Sequence, residues 1–291
     1  MSIDTLVAAE QLPASYAAIV DRWWRPLAQQ IVQWHSLAGR TLIIGINGAQ
    51  GSGKSTLCRF LCASLLPEHG VSAAVVSLDD LYLPLAARER IAQDIHPLFR
   101  TRGVPGTHDV DAGIALLDDM AAGREALIPR FSKALDDRLP RADWTPHAGK
   151  VDILLFEGWC VGARPQDAAS LIQPLNALEA QEDAEGIWRR HVNMALQTSY
   201  AQLFSRIDHL VMLQPPSFDH VLANRLLQEH KLRAAAPDAP AIMDDAAVAR
   251  FVSHYERVTR HMFADLPARA DIVFQLDAQQ NVMSCHRLAG P

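Results

Sequence analysis

The chain has 291 residues, of which 49% are hydrophobic and 21% charged, so it is long enough to bury a full apolar core without cross-links. Its 27 Lys and Arg against 33 Asp and Glu give a formal net charge of −6, which argues against a sequence-independent grip on nucleic acid. No apolar run approaches the ~18 residues that span a bilayer, and the N-terminus lacks a signal-peptide pattern. We therefore expect a cytoplasmic protein with small-molecule partners, and the sequence leaves its oligomeric state open.

The first 38 residues carry apolar side chains at helical spacing. Between residues 10 and 38 these positions are Tyr16, Ile19, Val20, Trp23, Trp24, Leu27, Ile31, Trp34 and Leu37. Pro26 marks either a kink or the first turn of a second helix. We interpret the tryptophans as a core stripe rather than as a platform for stacking a base. The pattern predicts an N-terminal helical extension, residues 1–39, packed on a domain that spans residues 40–291.

A strand, a glycine-rich turn and a helix follow one another from residue 41. Residues 41–46 form a short apolar, β-branched run, and residues 55–66 repeat apolar side chains at helical spacing. Between them GAQGSGKS, residues 48–55, matches the GxxxxGK[ST] pattern at every fixed position. Glycines allow positive φ angles here, so that successive backbone N–H groups can converge on an anion together with the helix N-terminus. The pattern predicts a loop that binds nucleotide phosphates.

The residues of this loop have expected roles. We expect Gly48, Gly51 and Gly53 to take positive φ angles. Lys54 should reach the β- and γ-phosphates, and the Ser55 hydroxyl should ligate Mg²⁺. The full set of expected nucleotide-binding residues is Gly48, Ala49, Gln50, Gly51, Ser52, Gly53, Lys54, Ser55 and Thr56. The loop therefore predicts a nucleoside phosphate and Mg²⁺ as ligands.

Four more apolar runs predict strands after the first. They span residues 73–78, 151–156, 207–213 and 271–276, and helical patterns separate most of them. This alternation predicts an α/β fold, a doubly wound parallel sheet with helices on both faces and ligands at the carboxyl ends of the strands. Two polar segments are interpreted as insertions, residues 84–148 and 163–188.

Acidic residues stand at the ends of two predicted strands. Asp79 and Asp80 follow the second strand, with Tyr82 close behind. A carboxylate at this place can orient a hydroxyl that attacks the γ-phosphate, or accept its proton. Glu157 ends the next strand, where it can hold Mg²⁺ or its water shell. An aspartate after a strand is also common in a turn or a helix N-cap, so the division of roles between the two aspartates stays open here.

Charged residues cluster in the first insertion and on the helix after the fourth strand. In HPLFRTRGVPGTHDVD and PRFSKALDDRLP they are Arg100, Arg102, His108, Asp109, Lys133 and Arg138. Such arginines can clamp a carboxylate or phosphate with paired hydrogen bonds, although a solvated loop has the same composition. Further on, NRLLQEHKLR places Arg225 on a helix that can close over the phosphates as a lid near residues 225–240. The alternative for that helix is an exposed charged face.

Taken in order, these motifs resemble those of one kinase family. GINGAQGSGKST, SLDDLYL, TRGVPGTHDVD, PRFSKALDDRLP, LLFEGWCVG and NRLLQEH look like the plant- and fungal-type D-glycerate 3-kinases and their bacterial kinase-like relatives. That family is a branch of the phosphoribulokinase, uridine kinase and pantothenate kinase group of P-loop kinases. The resemblance runs from about residue 40 to residue 291, and its order and its RGxPGTHD element make it specific.

The resemblance implies a P-loop NTPase-type sheet with strand order 2-3-1-4-5, ATP on the glycine-rich loop, and an acceptor held by the first insertion. It also implies that Asp79, rather than Asp80, matches the catalytic base of the group, and that Arg138 binds the acceptor. Two positions depart from the group's pattern. Phe and Ser at 131–132 replace its YD element, and Leu81 stands where the relatives usually carry Phe.

The sequence therefore predicts ATP-dependent phosphorylation of a small hydroxylated metabolite, and the resemblance favours D-glycerate. In this hypothesis Asp79, Lys54 and Arg225 are catalytic, while Ser55 and Glu157 hold Mg²⁺. The expected substrate-binding residues are Asp80, Tyr82, Arg100, Arg102, His108, Asp109, Lys133 and Arg138. The alternatives are a kinase for a uridine- or pantothenate-like acceptor, and a P-loop regulatory protein. The absence of a guanine-reading NKxD motif argues against a GTP-dependent switch.

Overall fold

A six-stranded sheet forms the centre of the protein in the computed structural model, which describes residues 1–235 and 243–287. Its strands are β1 Leu42–Gly48, β2 Ala73–Ser77, β3 Ile153–Gly158, β4 His209–Gln214, β5 Ile272–Leu276 and β6 Val282–Arg287. They lie side by side in the order β2-β3-β1-β4-β5-β6. The first five are parallel, which confirms the expected order 2-3-1-4-5. The sixth is antiparallel to β5 and is not predicted by the sequence pattern.

Eleven α-helices occur in the described residues. They are α1 Ile3–Ala9, α2 Tyr16–Ile19, α3 Arg25–Ala38, α4 Lys54–Phe60, α5 Leu85–Asp94, α6 Val110–Ala121, α7 Ala177–Glu182, α8 Ile187–Gln197, α9 Ser199–Phe204, α10 Phe218–Ala235 and α11 Asp245–Asp265. Two π-helical turns, Val20–Trp24 and Leu61–Leu65, join α2 to α3 and extend α4. Across residues 1–235 and 243–287, none of the helices combines the length and apolar character that a bilayer crossing requires.

Both faces of the sheet are covered, because alternate residues of each inner strand belong to different apolar clusters. Ile43 and Leu154 pack with side chains of α6, α8, α9 and α11 on one face. Ile44 and Leu155 pack with side chains of α1, α3 and α4 on the other. Burial on both sides explains why β1 and β3 are almost continuous apolar runs. The sheet is therefore doubly wound, as the alternation of strands and helices predicts.

The N-terminal helices share the second of these clusters with the sheet. Trp24 is 3% exposed and packs edge-on against Phe274 of β5, with the two ring centroids 5.0 Å apart. Trp34 stacks on His209 at the start of β4. Pro26 lies in the first turn of α3, where a residue without an N–H donor is tolerated. The tryptophans thus belong to the core, and the proposed domain boundary between residues 39 and 40 stays a prediction.

The first insertion folds around a buried arginine. Arg88 of α5 is fully buried and donates hydrogen bonds to the carbonyl oxygens of Leu83, Arg100 and Asp136. The insertion also contains α6 and two short ribbons, in which Ala126–Ile128 pairs with Thr145–His147 and Phe131–Ser132 pairs with Asp137–Arg138. We call the second of these, residues 131–138, the acceptor ribbon. Apolar side chains of the insertion, such as Phe99 and Leu117, also join the first of the two clusters. The buried guanidinium and its carbonyl partners, however, leave no periodic apolar signal in the sequence.

Candidate active site

The glycine-rich loop lies between the end of β1 and the start of α4. Gly51 and Gly53 have φ angles of 76° and 85°, the left-handed region that glycine adopts without strain. Gly48 is not among the residues with positive φ, so that expectation is wrong for the first glycine. Its role is steric, because a Cβ at Gly48 would collide with Ser52 Oγ. The loop therefore needs glycine at positions 51 and 53 for the backbone conformation, and at position 48 because Ser52 Oγ lies too close for a side chain.

The loop holds polar atoms that bind no other protein group. Ser52 Oγ and Gln50 Oε1 are buried and have no hydrogen-bond partner in the described residues. Buried polar atoms in folded proteins are nearly always paired, so unpaired ones at a loop of this type fit a polar ligand. Lys54 begins α4, and Thr56 follows in the same first turn. The loop, the lysine and the helix N-terminus form one surface with the chemistry of an anion site.

Glu157 lies at the tip of β3 beside this loop. Its Oε1 accepts hydrogen bonds from Ser55 Oγ at 3.2 Å and Ser77 Oγ at 2.8 Å. Its Oε2 is buried without a hydrogen-bond partner and lies 3.9 Å from Lys54 Nζ. A carboxylate and hydroxyls are the oxygen ligands that Mg²⁺ takes in nucleotide sites, so these residues fit the ion. Ser77, which ends β2 and begins the SLDDLYL motif, is a member of this group to which the sequence assigns no role.

Asp79 follows β2 and occupies both of its carboxylate oxygens. Oδ1 accepts a hydrogen bond from Tyr82 Oη at 2.8 Å, and Oδ2 accepts one from Lys133 Nζ at 2.7 Å. Burial raises the pKa of Asp79, but the charges of Lys133 and Lys54 and the two hydrogen bonds outweigh it and lower the pKa to about 2. The carboxylate is therefore ionised at neutral pH, next to the lysine of the phosphate loop.

His108 packs against the same tyrosine, with ring centroids 4.6 Å apart. Its Nδ1 is hydrogen-bonded to the hydroxyl of Tyr200, and its Nε2 is buried without a partner in the described residues. Burial lowers the pKa of His108 to about 3, and the nearby charge of Asp79 only partly opposes this. The imidazole is thus neutral at physiological pH, and Nε2 offers one polar contact beside Asp79.

Three of the expected substrate-binding residues make contacts within the protein, and their role toward a substrate stays a prediction. Asp80 accepts hydrogen bonds from Arg130 at 2.7 Å and from the Phe131 backbone N–H at 3.1 Å. Arg138 donates to Asp109 Oδ2 at 2.9 Å and also to the backbone carbonyl oxygens of residues 81 and 82. Asp109 in addition caps α6 by accepting from the Ala112 N–H. These contacts fasten the acceptor ribbon to the segment that carries Asp79.

The two arginines of the RTRG segment lie at a cavity next to the ribbon. Arg102 pairs with Asp136 and lies over the ring of Phe131. Arg100 is 66% exposed and lies 3.3 Å from Glu89. Both line the same cavity as Lys133, together with Arg250 and Phe251 of α11. The structure therefore brings these three expected residues together around one opening.

Long-range contacts hold the RGVPGTHD element in place. Gly103 has a φ of 124°, and a Cβ there would collide with Tyr255. The Tyr255 hydroxyl donates to the Arg102 carbonyl oxygen at 2.9 Å, and Trp159 Nε1–H donates to the Gly103 carbonyl oxygen at 2.8 Å. The Gly106 N–H donates to the Tyr200 hydroxyl at 3.1 Å. The sequence motifs do not predict these contacts, because the aromatic residues lie 56 or more residues away from their partners.

Arg225 lies on α10, as the sequence suggests. Its guanidinium is 2.6 Å from the carboxylate of Glu229, one turn further along the helix, and its side chain is only 17% exposed. Residues 236–240 of the expected lid lie outside the described residues. The structure thus pairs Arg225 within its own helix, and its role toward phosphate stays a prediction.

The donor loop and the ionised acid lie on the same edge of the sheet, and the insertion opens beside them. A carboxylate in this position can orient a hydroxyl group or a water molecule toward the phosphate, so the geometry is compatible with phosphoryl transfer. No family model matches the chain. An uncharacterized kinase of Schizosaccharomyces pombe is 36% identical over 228 residues, which cover 75% of this chain and 79% of that kinase.

Other relatives have named substrates. The chloroplastic D-glycerate 3-kinase of Arabidopsis thaliana is 26% identical over 258 residues, 82% of this chain but only 53% of the plant enzyme. A pantothenate kinase of Streptococcus suis is 26% identical over 179 residues, 61% of this chain and 54% of that enzyme. The chain thus spans about half the length of these two relatives. It belongs to the group of P-loop small-molecule kinases that includes D-glycerate 3-kinase and pantothenate kinase, and it is an ATP-dependent kinase.

Solved structures agree on the fold. A D-glycerate 3-kinase from Cryptococcus neoformans has a TM-score of 0.77 with 22% sequence identity, covering 91% of this chain and 99% of that one. A putative fructose transport system kinase from Silicibacter has a TM-score of 0.56 with 19% identity. At these identities the similarity establishes the architecture alone. The cytoplasmic location expected from the sequence stays a prediction.

Proposed function

We propose that this kinase transfers the γ-phosphoryl group of ATP to the 3-hydroxyl of D-glycerate. The observation that carries the proposal is the ionised Asp79 between Lys54 of the phosphate loop and the cationic cavity of the insertion. A small hydroxy acid needs a group for its hydroxyl and a cation for its carboxylate, and this edge of the sheet offers both. The similarity to the plant D-glycerate 3-kinase supports the same acceptor.

On the nucleotide side, the backbone of residues 48–56 cradles the phosphates and Lys54 contacts the β- and γ-phosphates. Ser55 and Glu157 hold Mg²⁺, with Ser77 orienting the carboxylate by its 2.8 Å hydrogen bond. When bound, the ion neutralises charge on the phosphate oxygens. We propose that Arg225 adds positive charge near the transferred group and that residues 225–240 form a lid.

On the acceptor side, Asp79 holds the attacking hydroxyl and takes its proton. With a pKa of about 2 the carboxylate is a weak base, so its main contribution is to orient the hydroxyl, and the proton moves as the new O–P bond forms. Tyr82 fixes the orientation of Asp79 through its hydroxyl, and the neutral His108 offers Nε2 for a second hydroxyl. Phosphoryl transfer depends mainly on such positioning, because its transition state is loose.

The carboxylate of the acceptor faces the cations of the insertion. Lys133 contacts Asp79, Arg102 pairs with Asp136 of the ribbon, and Arg100 lines the same cavity. Asp80, Asp109 and Arg138 contribute by fixing the ribbon rather than by touching the acceptor. This division accounts for all eight expected substrate-binding residues with their observed contacts.

The test is an acceptor panel with purified protein, Mg²⁺ and ATP, followed by coupled ADP release. We expect D-glycerate to raise ADP release strongly over the rate without acceptor, while L-glycerate, uridine and pantothenate raise it little. Turnover of pantothenate or uridine without turnover of glycerate would sink the acceptor assignment and leave the kinase class intact. ADP release that no acceptor changes would favour a nucleotide-binding regulatory protein.

A further inference from the structure

Lys133 of the acceptor ribbon forms an ion pair with Asp79, the carboxylate that orients the attacking hydroxyl in the proposed reaction. Lys133 Nζ is 2.7 Å from Asp79 Oδ2, and Tyr82 Oη is 2.8 Å from Oδ1. An acceptor hydroxyl that donates to Asp79 must therefore share an oxygen with one of these groups or displace it. The two partners differ greatly in how easily they can move.

Tyr82 is held firmly and Lys133 is not. Tyr82 is 3% exposed and contacts the rings of His108 and Phe131. The Lys133 side chain is 63% exposed at the turn of the acceptor ribbon, on a flexible four-carbon stem. Exchange at Asp79 therefore takes place at Oδ2, where the ammonium can move away without any change in the core.

The base of the ribbon stays in place during such a movement. Asp80 binds the Phe131 N–H, and Asp137 Oδ1 accepts from the Leu85 N–H at 2.9 Å. Arg138 binds the carbonyl oxygens of the segment that carries Tyr82. With both ends of the ribbon fastened, only the side chain at its tip is free to change partners.

A competing carboxylate has a place next to Lys133. Lys133, Arg102, Arg100 and Arg250 line one cavity, whose acidic side chains are Asp136 and Glu182. Each of these cations is ion-paired with an acid: Arg102 with Asp136, Arg250 with Glu182, Arg100 with Glu89 and Lys133 with Asp79. An acid that enters this cavity therefore binds a cation by exchange with one of these pairs. Its carboxylate offers Lys133 a charged partner equivalent to Asp79, whereas a neutral alcohol offers none.

We propose that Lys133 makes the kinase selective for anionic acceptors by exchanging its ion pair with Asp79 for one with the acceptor's carboxylate. This inference rests on the proposed function of the site. It adds a reason why the negative charge of the acceptor affects the rate of phosphoryl transfer as well as the binding of the acceptor. An acid both gains the lysine contact and leaves Oδ2 of Asp79 open to the hydroxyl. A neutral alcohol of equal size binds without the lysine and finds that oxygen occupied.

The experiment compares D-glycerate with glycerol, in which a CH₂OH group replaces the carboxylate. We measure kcat/KM for both acceptors in the wild type, Lys133→Met, Lys133→Arg and Lys150→Met. Lys150 is exposed just before β3 and serves as the matched control. We expect Lys133→Met to lower kcat/KM for glycerate about 10- to 100-fold, the usual worth of a charged hydrogen bond. For glycerol the value should stay equal or rise, and Lys133→Arg should keep most of the preference.

Three results would overturn the inference. If Lys133→Met lowers kcat/KM equally for both acceptors, Lys133 acts on the transferred phosphate and not on the acceptor's carboxylate. If kcat/KM for glycerate is unchanged in this variant, Lys133 does not recognise the acceptor. Thermal unfolding of each variant checks that the fold is retained. If the wild type phosphorylates pantothenate but not glycerate, the proposed acceptor is wrong, and the same comparison is made between pantothenate and the neutral alcohol pantothenol. A wild type without preference for any acid over its neutral analogue contradicts the inference as well.

Discussion

The nucleotide side and the acceptor side of the site are built in different ways. On the nucleotide side, one contiguous segment supplies strand, loop and helix, and Ser52 Oγ has no hydrogen-bond partner within residues 1–235 and 243–287. On the acceptor side, arginines and aspartates from distant positions bind each other, as Arg138 binds Asp109 and Arg130 binds Asp80. On the nucleotide side, a sequence motif therefore identifies the residues that contact the ligand. On the acceptor side, the motifs contain both residues that contact the ligand and residues that hold the acceptor ribbon in place.

The largest effect should come from the acid between the two sides. Asp79→Asn removes the charge that orients the hydroxyl and the oxygen that takes its proton, so we expect kcat to fall by roughly 10² to 10⁴. Acceptor-dependent ADP release gives the rate, and ATP binding measured in parallel shows whether the nucleotide side is intact. Retained turnover with intact ATP binding would transfer the role to Asp80.

A pair of arginine variants tests the claim that the acceptor side is largely frame. Arg138→Ala leaves Asp109 and two backbone carbonyl oxygens without their partner, and we expect unfolding in denaturant to become easier by about 3 kcal/mol. Arg100→Ala, at a side chain that is 66% exposed, should change the free energy of unfolding by less than about 0.5 kcal/mol. Equal losses in the two variants would refute this distinction.

Removing the carboxylate at the tip of β3 should weaken the nucleotide side alone. Glu157→Gln keeps the shape of the side chain but loses the charge that faces Ser55 and Lys54. We expect the Mg²⁺ concentration for half-maximal activity to rise about 10- to 100-fold, with a smaller change in the KM for the acceptor. Glu185→Gln, at an exposed position, serves as the control. An unchanged Mg²⁺ requirement would exclude Glu157 from the ion.

The smallest effect concerns pH and stability. Because the pKa of Asp79 is lowered from 3.8 to about 2 in the folded protein, its charge stabilises the fold above pH 3.8 and this contribution is lost as pH falls toward 2. The difference in free energy of unfolding between wild type and Asp79→Asn should be constant above pH ~5. It should then shift against the wild type by on the order of 1 to 2 kcal/mol near pH 2. A constant difference down to pH 2 would mean that Asp79 is not held in its charged form.

Most of the sheet can be predicted from the sequence because buried parallel strands are apolar runs. All five predicted strands occur, and their ends differ by no more than two residues from the expected ones. The edge strand β6 escapes prediction because only Val282 in it is buried. The first insertion escapes for another reason, since a buried arginine with three carbonyl partners leaves no periodic signal.

The residues of the site also differ in whether the sequence can predict them. Strand ends at one edge of a parallel sheet meet by topology, so Lys54, Asp79 and Glu157 can be named from sequence. Tyr255 cannot, because it reaches the Arg102 carbonyl oxygen from 153 residues away. Lys133 can be named as a cation near the acceptor, but its contact with Asp79 is visible only in three dimensions. A charged residue in a sequence is expected to form an ion pair, but the sequence does not show with which group.

The most direct test of the account is the identity of the phosphorylated product. Wild-type protein is incubated with Mg²⁺, ATP and D-glycerate, and the product is examined by phosphorus NMR with proton coupling. The account predicts a phosphate signal split into a triplet by the two protons of the primary carbon, as in 3-phosphoglycerate. A doublet from a phosphate on the secondary hydroxyl, or ADP and inorganic phosphate as the only new signals, would contradict it.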